Sequence, residues 1–304
     1  MNWRLAPPEM AYIVNDAEAK VLVVHADFAE HLAAMRDDLV HTTTIVTIGG
    51  GGDRPDGVLD YESWLADRPT TDPGGVGGPD DVALQLYTSG TTGLPKGAQL
   101  TNGNFTALLA GAAAWAMEPG SVNLAAMPLF HIGGSGWALF GMAKQARTVL
   151  MRELDPVALA KLIEAERITH AFLVPAVLQF LLLVPTDDVD LSSMQLIAYG
   201  ASPISEDVRV ASMQQFGCDF VQVYGLTETT GAVVELPPED HDPENRPELL
   251  RSAGKPYPWV EMRIVGEDGN DVADGEIGEV WLKGPQIMVG YWNKPEETAK
   301  ALDD

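Results

Sequence analysis

The most informative part of the chain reads Thr88-Ser89-Gly90-Thr91-Thr92-Gly93-Leu94-Pro95-Lys96-Gly97, and it directly follows an apolar run at residues 82–87. Glycine lets backbone N–H groups turn toward an anion, and small hydroxyl side chains add hydrogen-bond donors without bulk. The lysine supplies a mobile positive charge. This composition after an apolar, strand-like run predicts a loop that binds phosphate groups.

Residues 88–97 have two other possible interpretations. A Walker P-loop, G-x-x-x-x-G-K-[ST], needs its second glycine five residues after the first. Pro95 stands five residues after Gly90 and Ala98 five residues after Gly93, so the Walker spacing is absent. A glycine- and serine-rich surface linker is the remaining alternative.

Composition limits the classes of protein and of partner. The chain has 304 residues, 46% of them hydrophobic, which is enough for a sizeable core in two or three subdomains. The net charge of −25 argues against nucleic acid or an anionic membrane surface as a partner. Cys218 is the single cysteine, so no disulfide is expected, and we predict that it is a buried structural residue.

Hydropathy predicts a cytoplasmic protein. No run of residues approaches eighteen uncharged apolar positions, and residues 1–8 lack the apolar core of a signal peptide. The very apolar run at residues 178–184 lies between Pro175 and Pro185, which favours a short buried helix. Membrane contact is therefore expected to be peripheral at most.

Short β-branched runs alternate with helical patterns, which predicts an α/β fold with two mostly parallel sheets flanked by helices in αβαβα layers. Later turns and short runs predict a small antiparallel β subdomain or barrel. We expect three parts, at residues 1–113, 114–240 and 241–304. The strand candidates are residues 21–24, 44–48, 82–87, 122–126, 148–151, 171–174, 196–199, 220–223, 260–265 and 279–283.

Polar or glycine-rich clusters follow four of the predicted strands. Ligands of open α/β sheets bind beyond the carboxyl ends of the strands, so we expect the four clusters to share one edge. The clusters are residues 88–97, 127–134, 200–203 and 224–229.

Two of these clusters resemble signatures of the adenylate-forming (AMP-binding) superfamily. Residues 88–97 resemble its phosphate loop, and Tyr224-Gly225-Leu226-Thr227-Glu228 resembles its second signature. The resemblance implies that ATP activates a carboxylic acid to acyl-AMP, with Mg²⁺ on the phosphates. Residues 128–133 and 291–299 resemble the acyl-CoA synthetase branch, which implies a fatty acid as substrate and CoA as acceptor.

The resemblance also implies roles for individual residues. Tyr224 would stack on adenine, Glu228 would ligate Mg²⁺, and Thr88, Lys96 and Thr227 would join Glu228 in stabilising charge at the reacting phosphates. The implied nucleotide contacts are Thr88, Ser89, Gly90, Thr91, Thr92, Gly93, Lys96, Gly200, Ala201, Ser202, Tyr224, Gly225 and Thr227.

The implied acyl site follows the strand at residues 122–126. A general base is not required there, because a carboxylic acid of pKa about 4–5 is already ionised at neutral pH. We therefore assign His131 a positional or gating role. The implied acyl contacts are His131, Gly133, Gly134, Trp137 and Gly200.

Structural alternatives exist for these residues. Glu228 alone could be a helix-start carboxylate, Lys96 could face solvent, and Trp137 could be simple core. Residues 200–203 could form an ordinary turn, and His131 could be structural. The remaining histidines lack metal-ligand spacing and are interpreted as structural or surface residues: His25, His31, His41, His170 and His241.

The resemblance covers essentially the whole chain but only about half to two-thirds of a complete adenylating enzyme. It implies that the ribose-binding aspartate, the hinge and the small C-terminal lid domain with its catalytic lysine have no counterpart here. Two alternatives to a fatty-acid ligase stay open. One is a nucleotide-binding fragment without turnover, and the other is an adenylation domain for an aryl or amino acid.

Overall fold

The computed structural model describes residues 1–50, 54–66, 68–75, 77–88, 93–111 and 115–302. Four residues of the predicted phosphate loop lie outside the described residues: Ser89, Gly90, Thr91 and Thr92.

The β-strands are β1 (Val21–His25), β2 (Thr44–Ile48), β3 (Val58–Asp60), β4 (Val82–Thr88), β5 (Lys96–Thr101), β6 (Val122–Ala125), β7 (Arg147–Leu150), β8 (His170–Leu173), β9 (Leu196–Gly200), β10 (Asp219–Leu226), β11 (Gly231–Leu236), β12 (Lys255–Pro256), β13 (Glu261–Val265), β14 (Glu279–Lys283) and β15 (Gly290–Tyr291). The α-helices are α1 (Pro7–Asp16), α2 (Ala29–Met35), α3 (Tyr61–Ala66), α4 (Asn102–Gly111), α5 (Ile132–Ala143), α6 (Pro156–Glu166), α7 (Pro175–Leu181), α8 (Glu206–Phe216) and α9 (Pro295–Ala301).

The chain divides into two compact units. The first unit comprises Met1–Gly77, Tyr87–Gly97 and Tyr291–Asp304, and the second comprises Gly78–Leu86 and Ala98–Gly290. The chain thus passes from one unit to the other within β4, β5 and β15. The three-part division expected from the sequence, with boundaries after residues 113 and 240, remains a prediction.

The first unit contains a parallel sheet in the order β1-β2-β3. Side chains from α1 and α2 form the apolar core of this unit. Leu32 and Met35 are almost fully buried in it. The other buried members are Met10, Ala11 and Val58.

The second unit contains a seven-stranded sheet in the order β12-β11-β10-β9-β8-β6-β7. The five strands from β10 to β7 pair in parallel, and β11 and β12 are antiparallel additions at one side. Every residue of β8 and β9 is buried, as expected for parallel strands covered on both faces. The mixed α/β class predicted from the sequence is confirmed, and β13 and β14 form the small antiparallel sheet.

Helix boundaries in this unit follow local capping chemistry. The Asp155 side chain accepts a hydrogen bond from the Ala158 N–H at 2.7 Å, and proline occupies the first turn of α6. Ser205 caps α8 in the same way, and Gly217 ends it with a left-handed backbone. The Asp155-Pro156 pair is thus the local sequence signal for the start of α6.

Five strands are absent from the sequence-based candidates: β3, β5, β11, β12 and β15. β5 was missed, because Lys96 and Gly97 have the composition of a loop. The strand that leads into the phosphate loop, β4, belongs to a separate sheet in the order β15-β5-β4. The expectation that all four clusters share one sheet edge was therefore wrong for residues 88–97. Strand pairing depends on distant partners, which a local apolar run does not specify.

Two predictions from composition can be compared with the structure. None of the helices in the described part of the chain has the length and apolar character needed to cross a bilayer. Cys218 is half-buried with a free thiol, and its burial raises the pKa of that thiol to about 12.

His241 is a buried part of the second unit. Its Nδ1 donates to the Pro237 carbonyl at 2.9 Å, and its Nε2 lies 2.9 Å from the Tyr199 hydroxyl. The two rings meet edge to face, with centroids 5.7 Å apart. Burial lowers the pKa of His241 to about 4, so the ring is neutral in the folded protein near pH 7.

Lowering the pH from about 6.5 to about 4 is expected to destabilise the second unit through His241. In this range His241 takes up a proton in the unfolded chain but not in the folded protein. The free energy of unfolding therefore falls by up to about 3 kcal/mol. The measurement is the free energy of unfolding in urea against pH, for the wild type and for His241→Gln. The variant is expected to lose less stability on acidification, and parallel pH profiles for the two proteins would contradict this assignment.

Candidate active site

Three of the predicted clusters follow parallel strands of the seven-stranded sheet. They come after β6, β9 and β10, whose carboxyl ends point to the same edge. Val223 pairs with Gly200, which places Ala201 and Ser202 beside Tyr224. The structure therefore brings together two segments that lie more than twenty residues apart in the sequence.

An apolar cleft with a cavity volume of about 90 Å³ opens at this part of the second unit. Thr230 carries the sole hydroxyl, and no charged side chain is present, among the described residues that line it. This apolar lining with few polar groups is typical of sites for small organic molecules. The lining residues are Leu108, Trp115, Ile132, Gly133, Gly136, Trp137, Phe140, Phe172, Ala201, Val223, Gly225, Thr230, Gly231 and Ala232.

Four residues selected from the sequence line the apolar cleft: Gly133, Trp137, Ala201 and Gly225. Ala201 has a φ of 66°, a left-handed conformation that is unusual for a residue with a side chain. Such strained residues concentrate at functional sites, and this one lies where β9 ends. Trp137 is both core and cleft wall, so its two sequence-based interpretations are compatible.

Two other selected glycines lie in tight backbone packing. A Cβ atom on Gly134 would come within 2.2 Å of the Pro128 carbonyl oxygen. A Cβ atom on Gly200 would come equally close to the Val223 carbonyl oxygen. The geometry thus explains why glycine is needed at these positions, and direct ligand contacts by Gly134 and Gly200 remain predictions.

His131 precedes the first residue of α5 in an extended conformation. Its carbonyl oxygen accepts hydrogen bonds from the N–H groups of Gly134 and Ser135, each at 3.0 Å. Its exposed ring packs edge to face on Phe130, with centroids 4.6 Å apart. His131 has a structural role at the helix start, and its contact with an acyl group remains a prediction.

The segment that resembles the second signature begins as a strand and ends in a tight turn. The ladder between β10 and β11 shifts register at Tyr224 and Gly225, as in a β-bulge. Beyond Leu226, the Thr229 hydroxyl accepts from the Leu226 N–H at 2.8 Å and closes the turn. Bulges often re-aim side chains next to active sites.

Thr227 and Glu228 lie in this turn between antiparallel strands. Glu228 therefore does not begin a helix, and the helix-start interpretation is wrong. The Glu228 carbonyl oxygen accepts from the Met288 N–H at 2.8 Å, which fixes the backbone of the turn. Both side chains are half-buried. Their nucleotide and metal roles, with that of Ser202, remain predictions.

The carboxylate of Glu228 is the type of oxygen ligand that Mg²⁺ prefers. This ion retains several waters and usually takes one or two protein carboxylates, so a single glutamate in a fixed turn is a sufficient protein ligand. The described residues contain no group of three His, Cys, Asp or Glu side chains that could enclose an ion.

Lys96 belongs to the first unit and is neither solvent-facing nor unpaired. Its Nζ lies 3.0 Å from Glu297 Oε2 and 4.6 Å from the centroid of the Tyr291 ring. Thr88 is the last residue of β4 and is half-buried. Gly93 is exposed. The phosphate roles of these three residues remain predictions.

Several cleft residues were missed by sequence reasoning. Thr230 and Gly231 immediately follow the second signature, so proximity to that motif could have suggested them. Trp115, Phe140 and Phe172 come from three separate segments, and their patterns resemble ordinary core positions. No local signal distinguishes a core aromatic residue from one that lines a cleft.

Comparisons with known proteins identify the family of this chain. Residues 1–292 match the family model described as AMP-binding enzyme, so the chain belongs to the AMP-binding enzyme family. Its homologues include acyl-CoA and fatty-acid ligases.

Among the relatives is a fatty acid–[acyl-carrier-protein] ligase, ScoC, from Streptomyces coeruleorubidus, 35% identical over all of this chain and 57% of ScoC. A feruloyl-CoA synthase from an Amycolatopsis species is 34% identical over all of this chain and 58% of its own length. The chain thus spans less than two thirds of these relatives. The crystal structure of the anthranilate CoA ligase AuaEII with anthranoyl-AMP matches with a TM-score of 0.89 and 29% identity, over 99% of this chain and 57% of that one.

Substitution of Gly225 by alanine is expected to destabilise the second unit by roughly 1–3 kcal/mol. The added Cβ would stand 1.7 Å from the Gly231 carbonyl oxygen, so the β10–β11 pairing must shift. The matched control is Gly136→Ala, in the same cleft. There the nearest atom is 3.5 Å away, and alanine in a helix should stabilise by about 0.5–1 kcal/mol. Urea unfolding of both variants checks this, and equal midpoints would contradict it.

Proposed function

We propose that this chain is the core of the large domain of an acyl-CoA synthetase, which activates an apolar carboxylic acid with ATP and passes the acyl group to CoA. Membership of the AMP-binding enzyme family supports the adenylation step. The observation that carries the proposal is the apolar cleft, which opens where the two polar segments after β9 and β10 lie side by side.

The chemistry of adenylation suits these residues. The acid is already an ionised nucleophile, so the protein must orient it and stabilise charge at the α-phosphate. Thr227 can donate a hydrogen bond to a phosphate oxygen, and Tyr224 offers a flat face to adenine. Glu228 would hold Mg²⁺, which neutralises phosphate charge when bound. The turn that carries Thr227 and Glu228 is pre-organised by the Met288 N–H, as such stabilisation requires.

In the first unit, Lys96 is proposed to neutralise phosphate charge. Its ammonium group is held by Glu297 in this structure, so a phosphate group would compete with that carboxylate. Thr88 and Gly93 belong to the predicted phosphate loop and are proposed to contact the nucleotide.

The apolar lining supports an acid with an uncharged, apolar tail. An amino acid would leave its ammonium group without a counter-charge among the described lining residues, which disfavours that alternative. Fatty and aryl acids both satisfy the lining. The relatives ScoC and feruloyl-CoA synthase are named for one of each kind.

A second candidate function is nucleotide binding without turnover. Under this alternative, ATP binds but no acid stimulates pyrophosphate release.

Pyrophosphate release measured with a panel of aliphatic and aromatic acids tests the proposal. Release that depends on an apolar acid is expected, and Glu228→Gln should reduce it by about 100-fold or more, because the variant loses the charge that holds Mg²⁺. The matched control, Glu239→Gln, alters an exposed carboxylate and should leave the rate unchanged. ATP binding without acid-dependent release would favour the second candidate, and absence of both would contradict the proposal.

A further inference from the structure

Trp115 is a wall residue of the apolar cleft that lies outside the α-helices and β-strands. It lies between the end of α4 at Gly111 and the start of β6 at Val122, and it is only 5% exposed. Its ring packs on Trp137 and Phe140, with centroid distances of 5.4 and 5.1 Å. A residue between an α-helix and a strand is not fixed by the hydrogen-bond ladder of either element, so other interactions must set its position.

Polar groups hold Trp115 at both ends. The indole Nε1–H donates to Glu235 Oε2 at 2.7 Å, and the Tyr257 hydroxyl donates to the same oxygen at 3.0 Å. The Trp115 carbonyl oxygen accepts from Nε2 of the fully buried His170 at 3.0 Å. Among the described residues, Glu235, Tyr257 and His170 do not line the cleft, so they act on it through Trp115.

This arrangement is costly in free energy. Glu235 is only 9% exposed, at a position on β11 between buried apolar residues, and its burial raises the pKa of the carboxyl. A well-packed apolar side chain there would often be no less stabilising than a buried acid. The stability of the fold therefore gives no reason for a carboxyl group at residue 235, whereas fixation of the Trp115 indole does.

The wall that Trp115 completes is rigid. Trp115, Trp137, Phe140 and Phe172 contribute aromatic rings with few rotatable bonds, packed on one another. Such a wall cannot open as flexible aliphatic side chains can. It also offers ring faces and edges to a flat ligand, which gains from aromatic contacts.

We propose that Glu235 is a positioning residue that locks Trp115 as a rigid wall of the cleft, so that the site prefers compact apolar acyl groups, aryl above all, to long alkyl chains. This inference rests on the proposed function, because it concerns the acyl site of that reaction. It assigns Glu235 a role in selectivity that requires no contact with the substrate.

Binding of non-hydrolysable acyl-adenylate analogues tests the inference. The probes are adenosine sulfamates that carry a benzoyl, cinnamoyl, hexanoyl or hexadecanoyl group, and affinities are measured by calorimetry on this chain. The wild type is expected to bind the aryl analogues about 10-fold or more tighter than the hexadecanoyl analogue. Glu235→Leu has similar volume but cannot accept the indole hydrogen bond, and its aryl preference should fall to about threefold or less. Glu235→Gln keeps an acceptor and should retain the preference.

Two further variants separate positioning from folding. Trp115→Phe keeps a ring but lacks the N–H donor, so it should lose the aryl preference as a folded Glu235→Leu variant would. It provides the same test if Glu235→Leu does not fold. Asp240→Asn alters another buried carboxyl of the second unit, one that pairs with Arg246 and does not line the cleft, and it should leave selectivity unchanged.

The outcomes distinguish this inference from the proposed function. If the wild type binds none of the analogues, the proposed function fails and the inference fails with it. If the wild type binds all four equally, or if folded Trp115→Phe and Glu235→Leu keep the wild-type preference, the inference alone is overturned.

Discussion

The close approach of three neighbouring backbones, β9, β10 and β11, is the constraint on which the candidate site depends. Gly200 lies against the Val223 carbonyl, and Gly225 lies against the Gly231 carbonyl, with no space for a Cβ atom at either position. This proximity brings the segment after β9 beside Tyr224 and allows β10 to continue into the turn with Thr227 and Glu228. A bulkier residue at either glycine would separate the strands that define the site.

The second unit separates two kinds of chemistry. Hydroxyl and carboxyl groups concentrate in the turn after β10, where backbone hydrogen bonds fix their positions. Aromatic rings from Trp115, from α5 and from β8 surround the cleft, which offers no charged group among its described lining residues. Such a division suits a reaction in which a polar end of the ligand reacts while an apolar end is held in a low-polarity environment. The buried Glu235 connects the polar and apolar parts, because its carboxyl group accepts a hydrogen bond from Trp115 in the apolar wall.

Asp16 organises the first unit near the predicted phosphate loop. Its carboxylate accepts from the Tyr87 hydroxyl at 2.7 Å and from Lys294 Nζ at 2.6 Å, and its carbonyl accepts from the Trp292 indole at 2.8 Å. The side chain is only 8% exposed, so these bonds are poorly screened by water. They connect the end of α1 with the strand before the loop and with the segment before α9, which explains the polar and aromatic composition of residues 291–294.

The sequence by itself determined the α/β class, most strand positions and the motifs of an adenylating enzyme, because these depend on local periodicity, capping residues and short contiguous patterns. Asp155 before Pro156 and the β-branched run of β2 are examples. Only the tertiary structure decided that β4 lies outside the main sheet, that Lys96 pairs with Glu297, and that Trp115 and Glu235 meet across 120 residues. These features depend on contacts between segments distant in the chain, and such contacts leave no periodic signal in either segment.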